Sequence, residues 1–146
     1  MKNLKVSDYM TTSVLTEREN SDIINIIKIF DEGEIRHMPI IDDNNHPIGM
    51  ISQRDTKVID NIEYASQFTA GDIMKRDPVV VWEYASLKSV AALMAIKKIG
   101  SVIVVNKTKV VIGIFTSIDA LNALFDVLDD DPTESYFVEE EICLIQ

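Results

Sequence analysis

Gly49-Met50-Ile51-Ser52-Gln53-Arg54-Asp55 and Gly113-Ile114-Phe115-Thr116-Ser117-Ile118-Asp119 share one pattern: a glycine, two apolar residues, a hydroxyl, and an aspartate three positions on. The two stretches lie 64 residues apart. Working outward, residues 6–56 match residues 70–120 at that offset without a gap: Asp8 falls on Asp72, Met10 on Met74, Ile35 on Ile99, and Ile48 on Ile112. A fixed offset marks a duplicated structural unit. Two copies cannot build a solenoid, so the natural product is a pseudo-twofold pair with packed halves.

Each copy carries the same order of elements. Asp8-Tyr9-Met10 and Asp72-Ile73-Met74 read as short helical turns, followed by brief strands at Val14–Thr16 and Val79–Val81. Ile23, Ile26, Ile27 and Phe30 sit at i, i+3, i+4 and i+7, as do Leu87, Val90, Ala91 and Met94, which predicts an amphipathic helix in each copy. Ser21 and Ser86 are the candidate N-caps. Met38–Ile41 and Pro47–Ile51 flank the Asx-rich turn Asp42–His46, and Val102–Val105 and Val110–Phe115 flank Asn106–Lys109, the composition of hairpins. Neither hairpin alternates polar with apolar residues, so both faces are expected to be covered. A second helix follows each, from Gln53 to about Asp60 and from Ser117 to about Leu128, with the helices expected to bury themselves against the other copy. The fold class is therefore α+β, as two tandem β-α-β-β-α repeats: residues 1–62, residues 63–128, and an acidic tail at 129–146, with Asn61–Phe68 as the link.

Bulk composition narrows the function. The chain has 146 residues, 47% hydrophobic and 26% charged, as an ordinary globular protein has. No apolar stretch approaches the roughly 18 residues of a membrane span, and Met1–Met10 has no signal-peptide core, so a cytoplasmic protein without a membrane partner is expected. The formal charge of −10 is concentrated at one end. From Asp126 onward there are eight acidic residues and no Lys or Arg, leaving the body nearly neutral. No basic stripe of the kind nucleic acid requires is evident. Cys143 is the single cysteine and has no partner for a disulfide or a CxxC site.

Known catalytic patterns are missing. The five glycines (33, 49, 71, 100 and 113) form neither a phosphate-binding loop nor a dinucleotide fingerprint. His37 and His46 stand in no nucleophile motif, and the Asp42–Asn45 turn lacks the glycine and distal glutamate of a calcium loop. Neither catalysis nor a bound metal or cofactor is expected.

The Ser/Thr-x-x-Asp junction has two readings. A strand that gives way to a helix presents free backbone N–H groups beside a hydroxyl, and an ionised Asp can accept from both hydroxyls of a ribose. The same residues also form a capping box, in which hydroxyl and carboxylate serve only the helix start.

The repeat period, the element order and the paired Gly-apolar-apolar-Ser/Thr-x-x-Asp junctions resemble the CBS (cystathionine-beta-synthase) domain family over residues 1 to about 125. That resemblance implies a regulatory ligand-binding module, not an enzyme. It would bind an adenosine nucleotide (AMP, ADP or ATP) in clefts between the repeats, assemble as a homodimer through its helices, and act on a regulated protein the sequence does not name. It also implies two residue sets. One cleft would join Thr116 and Asp119 to Ser13, Val14, Leu15, Ile35, Arg36 and His37, with the last two meeting phosphate. The other would join Ser52 and Asp55 to Asp77, Pro78, Val79, Ile99, Gly100 and Ser101, with Arg54 offsetting Asp77. The Arg36–His37 pair directs the nucleotide to the Asp119 cleft, leaving the Asp55 cleft weaker, empty, or suited to a less charged adenosyl ligand. The rival readings are an S-adenosylmethionine sensor, a dimerisation or docking element without nucleotide that works through the acidic tail, and a small nucleotide-using enzyme.

Overall fold

A computed structural model of the chain describes residues 3–59 and 65–128. The expected fold class is present: mixed α+β, two sheets, two repeats. In the first repeat, β1 (Glu17–Arg18), α1 (Ile23–Asp31), β2 (His37–Ile41), β3 (Pro47–Ser52) and α2 (Gln53–Lys57) follow one another. A 3-10 turn at Ala65–Gln67, α3 (Ala70–Ile73) and β4 (Lys75–Arg76) open the second repeat. It continues with β5 (Val80–Trp82), α4 (Leu87–Lys97), β6 (Ser101–Val105), β7 (Val111–Thr116) and α5 (Ser117–Leu128). β1 runs parallel to β2, which pairs antiparallel with β3, and β5, β6 and β7 repeat that arrangement.

The hairpins are covered on both faces, as the missing alternation predicts: Met38, Ile40, Ile41, Val102, Ile103, Val104 and Val105 are all buried. The helix-period residues Ile23, Ile26, Ile27 and Phe30 pack on Met38, Ile40 and Ile51 in one core, and Leu87, Val90 and Met94 pack on Val102, Val104 and Phe115 in a second. Each large side chain buried this way contributes about 1.5–3 kcal/mol. These helices thus bury themselves in their own repeat, against the expectation that they lean on the other.

What crosses between the repeats is the short opening segment of each. Val6 is fully buried in the second core and Ala70 in the first. The exchange is reciprocal at the same offset. Leu87 N donates to Leu4 O and Ile23 N to Phe68 O, while Val6 N donates to Ala85 O and Ala70 N to Ser21 O. β4 adds an edge to β3 through Lys75 and Met50, and Thr11 makes the equivalent bridge to Ile114. β4 was not read from the sequence, because two charged residues carry no strand periodicity.

Other differences are local. The first strand lies at Glu17–Arg18 instead of Val14–Thr16, set by its pairing with Ile40 and Ile41, and its counterpart is shifted by one residue. The cap of α1 is Asp22, whose Oδ1 accepts from Ile24 N at 3.0 Å. Ser21 instead donates to Glu17. Ser86 caps α4 as expected, accepting from Ser89 N, so the true caps are twofold equivalents. α2 ends at Lys57. Asp60, residues 61–64 of the link and the acidic tail fall outside the described residues.

Candidate functional site

Both aspartates of the repeated motif are drawn back onto their own helix starts, but to different degrees. Asp55 Oδ2 accepts from Ser52 N at 2.8 Å while Ser52 Oγ accepts from Asp55 N at 3.3 Å, a complete capping box. Asp119 Oδ2 accepts from Thr116 N at 2.8 Å and from Thr116 Oγ1 at 3.2 Å. The second oxygens differ. Asp119 Oδ1 takes the Thr11 hydroxyl at 3.5 Å, and the residue is 9% exposed. Asp55 Oδ1 faces the Lys75 ammonium, at 3.7 Å.

Asp55 opens on a cavity of about 840 Å³ between the repeats, within the range of about 300–1,000 Å³ that holds small ligands. The whole set expected for that cleft lines it: Ser52, Asp55, Asp77, Pro78, Val79, Ile99, Gly100 and Ser101, with Arg54 beside them. Arg36 and His37, expected on the Asp119 side, also line this cavity. Backbone pairing places them there. Arg36 O accepts from Gln53 N at 2.8 Å, and His37 is the β2 partner of Ser52, so both are tied to the helix start of their own repeat. No described contact brings Ser13, Val14, Leu15 or Ile35 to Asp119. Leu15 is half exposed, and Ile35 packs against the first core.

Electrostatics separate the two sides further. Arg36, Arg54, Lys57, Lys75, Arg76 and Lys98 line the Asp55 cavity beside the carboxylates of Asp55 and Asp77, with Arg76 also paired to Glu19 at 2.7 Å. The offset-64 counterparts of the six are Gly100, Ile118, Leu121, Thr11, Thr12 and Glu34. The Arg36–His37 pair, expected to be missing from the Asp55 cleft, lines it together with further cations. Lys57, Lys75, Arg76 and Lys98 were missed, although comparing counterparts at the fixed offset would have exposed them. His37 is held below the ordinary histidine range, chiefly by burial and further by Arg36, with Asp55 pulling the other way. Two lining residues, Asp77 (φ 53°) and Lys98 (φ 54°), adopt left-handed backbone, a conformation that costs non-glycine residues about 1–2 kcal/mol.

Among the described residues no group of metal-ligating side chains gathers, and no helix is long and apolar enough to cross a membrane.

A duplicated motif, a reciprocal exchange of opening segments and an inter-repeat cavity beside one motif aspartate define a paired-repeat ligand module. The CBS domain profile matches residues 6–56 and 70–126, and the chain belongs to that family. A CBS domain-containing protein of Dictyostelium discoideum is 25% identical over 141 residues, covering 89% of this chain and 97% of its own. Among solved structures, CBSX2 of Arabidopsis thaliana in complex with AMP superposes with a TM-score of 0.75 at 25% identity, over 85% of this chain and 98% of that one. The CBS domain pair of protein MJ0100, in complex with 5-methylthioadenosine and S-adenosyl-L-methionine, superposes at 0.73 with 28% identity, over 86% and 98%. The chain spans less than half the length of several other curated relatives.

Proposed function

We propose that the chain is a regulatory module without catalytic activity that binds an adenosine nucleotide in the Asp55 cavity, with a preference rising from AMP to ADP to ATP. The carrying observation is the convergence of six cations on a cavity that also holds a motif carboxylate with one loosely engaged oxygen. Pro78, Val79 and Ile99 supply an apolar wall for the base. Asp55 Oδ1 accepts from the ribose, which releases Lys75 to join Arg36 and Lys98 on the phosphates, and Arg76 joins them by exchanging its 2.7 Å contact with Glu19; guanidinium forks suit phosphate oxygens. The AMP and adenosyl complexes of similar CBS pairs support an adenosine ligand. The local charge argues against S-adenosylmethionine, whose sulfonium would meet a field of its own sign.

Melting curves with AMP, ADP, ATP and S-adenosylmethionine test this reading. ATP at about a hundred times its Kd should raise the midpoint by roughly 5–11 °C, S-adenosylmethionine should raise it least, and Asp55→Ala should abolish the ATP response while remaining folded. A midpoint indifferent to every adenosine ligand sinks the proposal.

The homodimer expected from the family rests on one further observation. Ile118, Leu121, Phe125 and Leu128 form an exposed apolar stripe on α5, larger than a single isolated residue would explain. We propose that a second copy covers this stripe. Light scattering should give twice the chain mass for the wild type and the chain mass for Leu121→Glu/Phe125→Glu; a monomeric wild type rejects it.

A further inference from the structure

A second hollow, about 430 Å³, lies on the sheet of the second repeat and has no part in the nucleotide proposal. Val80, Val81, Trp82, Val105, Asn106, Lys107 and Lys109 line it, with His46 and Pro47 from the first repeat's hairpin at its rim. Trp82, 47% exposed, lines this groove, and β5, which carries it, is the edge strand of its sheet among the described residues. Nearby, Lys5 Nζ stands 5.0 Å over the Tyr84 ring, which tilts against Trp82 at 6.0 Å.

At the pseudo-twofold counterpart of this groove an ion pair spans the equivalent positions. Arg18, the counterpart of Trp82, donates to Asp42 O at 3.0 Å and to Asp43 Oδ1 at 2.7 Å. Asp43 is in turn the counterpart of Lys107. Where one repeat carries an ion pair of its own, the other offers an exposed aromatic ring and two lysines with no opposite charge paired to them among the described residues.

We propose that the acidic tail of the same chain docks here, placing Tyr136-Phe137-Val138 against Trp82 and Glu139-Glu140-Glu141 on Lys107 and Lys109. The chemistry matches on both counts: the tail offers an aromatic and aliphatic triplet followed directly by three carboxylates, and residues 126–146 contain no Lys or Arg. The starting point of the tail matches as well. Tyr9 Oη donates to Asp126 Oδ2 at 3.0 Å near the end of α5, and Ser7 N donates to Glu83 O at 3.3 Å, next to Trp82. The helix that launches the tail is thus tied to the segment that borders the groove. Residues 129–135 can bridge up to about 23 Å when extended. Tethering also gives the segment an effective concentration on the order of millimolar, so weak contacts suffice to keep it docked.

Trp82 is the only tryptophan of the chain, so its fluorescence reports this groove alone. In the full-length protein Trp82 should emit at shorter wavelength and be quenched by acrylamide about half as efficiently as in a chain ending at Leu128, in keeping with a covered ring. Glu139→Lys/Glu140→Lys/Glu141→Lys, which keeps the tail's length, should resemble the truncation, and adding Lys107→Glu/Lys109→Glu to it should restore protection. Equal quenching in the full-length and charge-reversed chains overturns the proposal. Protection that disappears on dilution also overturns it, because the covering segment would then come from a second copy.

Discussion

Thr11 and Lys75 occupy the same place in the two repeats and do different things to the carboxylate in front of them. On one side a short neutral hydroxyl stands 3.5 Å from Asp119, a long hydrogen bond added to those from Thr116. On the other a long ammonium stands 3.7 Å from Asp55, itself 76% exposed and free to move. Two corners built on one motif thus differ at equivalent positions, and on the proposed function one serves as framework and the other as the site. A motif residue is available to a ligand only to the degree that its neighbours leave it unsatisfied.

The largest expected effect breaks this comparison directly. Asp119→Ala removes an acceptor from Thr116 N, Thr116 Oγ1 and Thr11 Oγ1 and should cost about 2–4 kcal/mol, the sum of a lost cap and the partners it strands. Asp55→Ala loses a cap and little else, about 1 kcal/mol, yet should remove the nucleotide response that Asp119→Ala leaves intact. Urea unfolding beside ATP-dependent melting separates the two. If Asp55→Ala proves the more destabilising, the division into framework and site is wrong.

Gly49 and Gly113 give a smaller contrast of the same kind. A Cβ at Gly49 would meet only the Met74 side chain, whereas at Gly113 it would meet Met10 and also the Thr11 carbonyl at 3.2 Å. The methionine Sδ and Cγ can rotate away, leaving the Met74 Cβ at 3.0 Å; a backbone carbonyl held in the Thr11–Ile114 bridge cannot move. Gly113→Ala should therefore cost about 2–3 kcal/mol and Gly49→Ala about 1, read as a difference in denaturation midpoints. Equal costs would mean that both methionines are equally locked.

These pairs also show what the sequence discloses. The offset, the hairpins and the two amphipathic helices were legible because apolar spacing is written directly into Ile23–Phe30 and into the buried runs at Met38 and Val102. The residue list of the Asp55 cleft was legible through the family motif. The destination of Arg36 and His37 was not, because it depends on which helix start their strand abuts, a matter of the Arg36 O–Gln53 N bond and the β2–β3 register. Nor was the exchange of opening segments. Val6 and Ala70 are ordinary small residues whose burial in the opposite core is decided by chain path, not by any local pattern.

His37 carries the next effect, since its counterpart Ser101 has no titratable group. Burial, the largest influence, holds the imidazole below its ordinary 6.5, so the unfolded chain takes up a proton before the native one does. Stability from this source is complete above that value and declines as pH falls through it toward the native one. Phosphates in the cavity would favour the imidazolium, so ATP affinity should rise as pH falls from about 7 to 6, with proton uptake detectable by calorimetry in buffers of different ionisation enthalpy. His37→Gln should show neither trend. Proton uptake that persists in that variant would place the titrating group elsewhere.

The smallest effect lies in the hairpin turns, where the repeats solve one problem with different chemistry. Asp42 Oδ1 accepts from Asn44 N at 2.8 Å and His46 N at 2.9 Å, while the counterpart Asn106 Oδ1 accepts from Thr108 N and Val110 N, both at 3.0 Å. The geometry is the same, but only the carboxylate titrates. The His46 backbone N–H, aided by that of Asn44, holds Asp42 below the usual carboxylate value of 3.8 despite partial desolvation. A depressed acid contributes stability that is present above its unfolded pKa and vanishes as pH falls through the folded one. Asp42→Asn should therefore flatten the acid limb of the stability profile between about pH 5 and pH 2, and Asn106→Asp should steepen it. An unchanged acid slope in Asp42→Asn would mean that the unfolded turn already makes these bonds, leaving the two hairpins interchangeable after all.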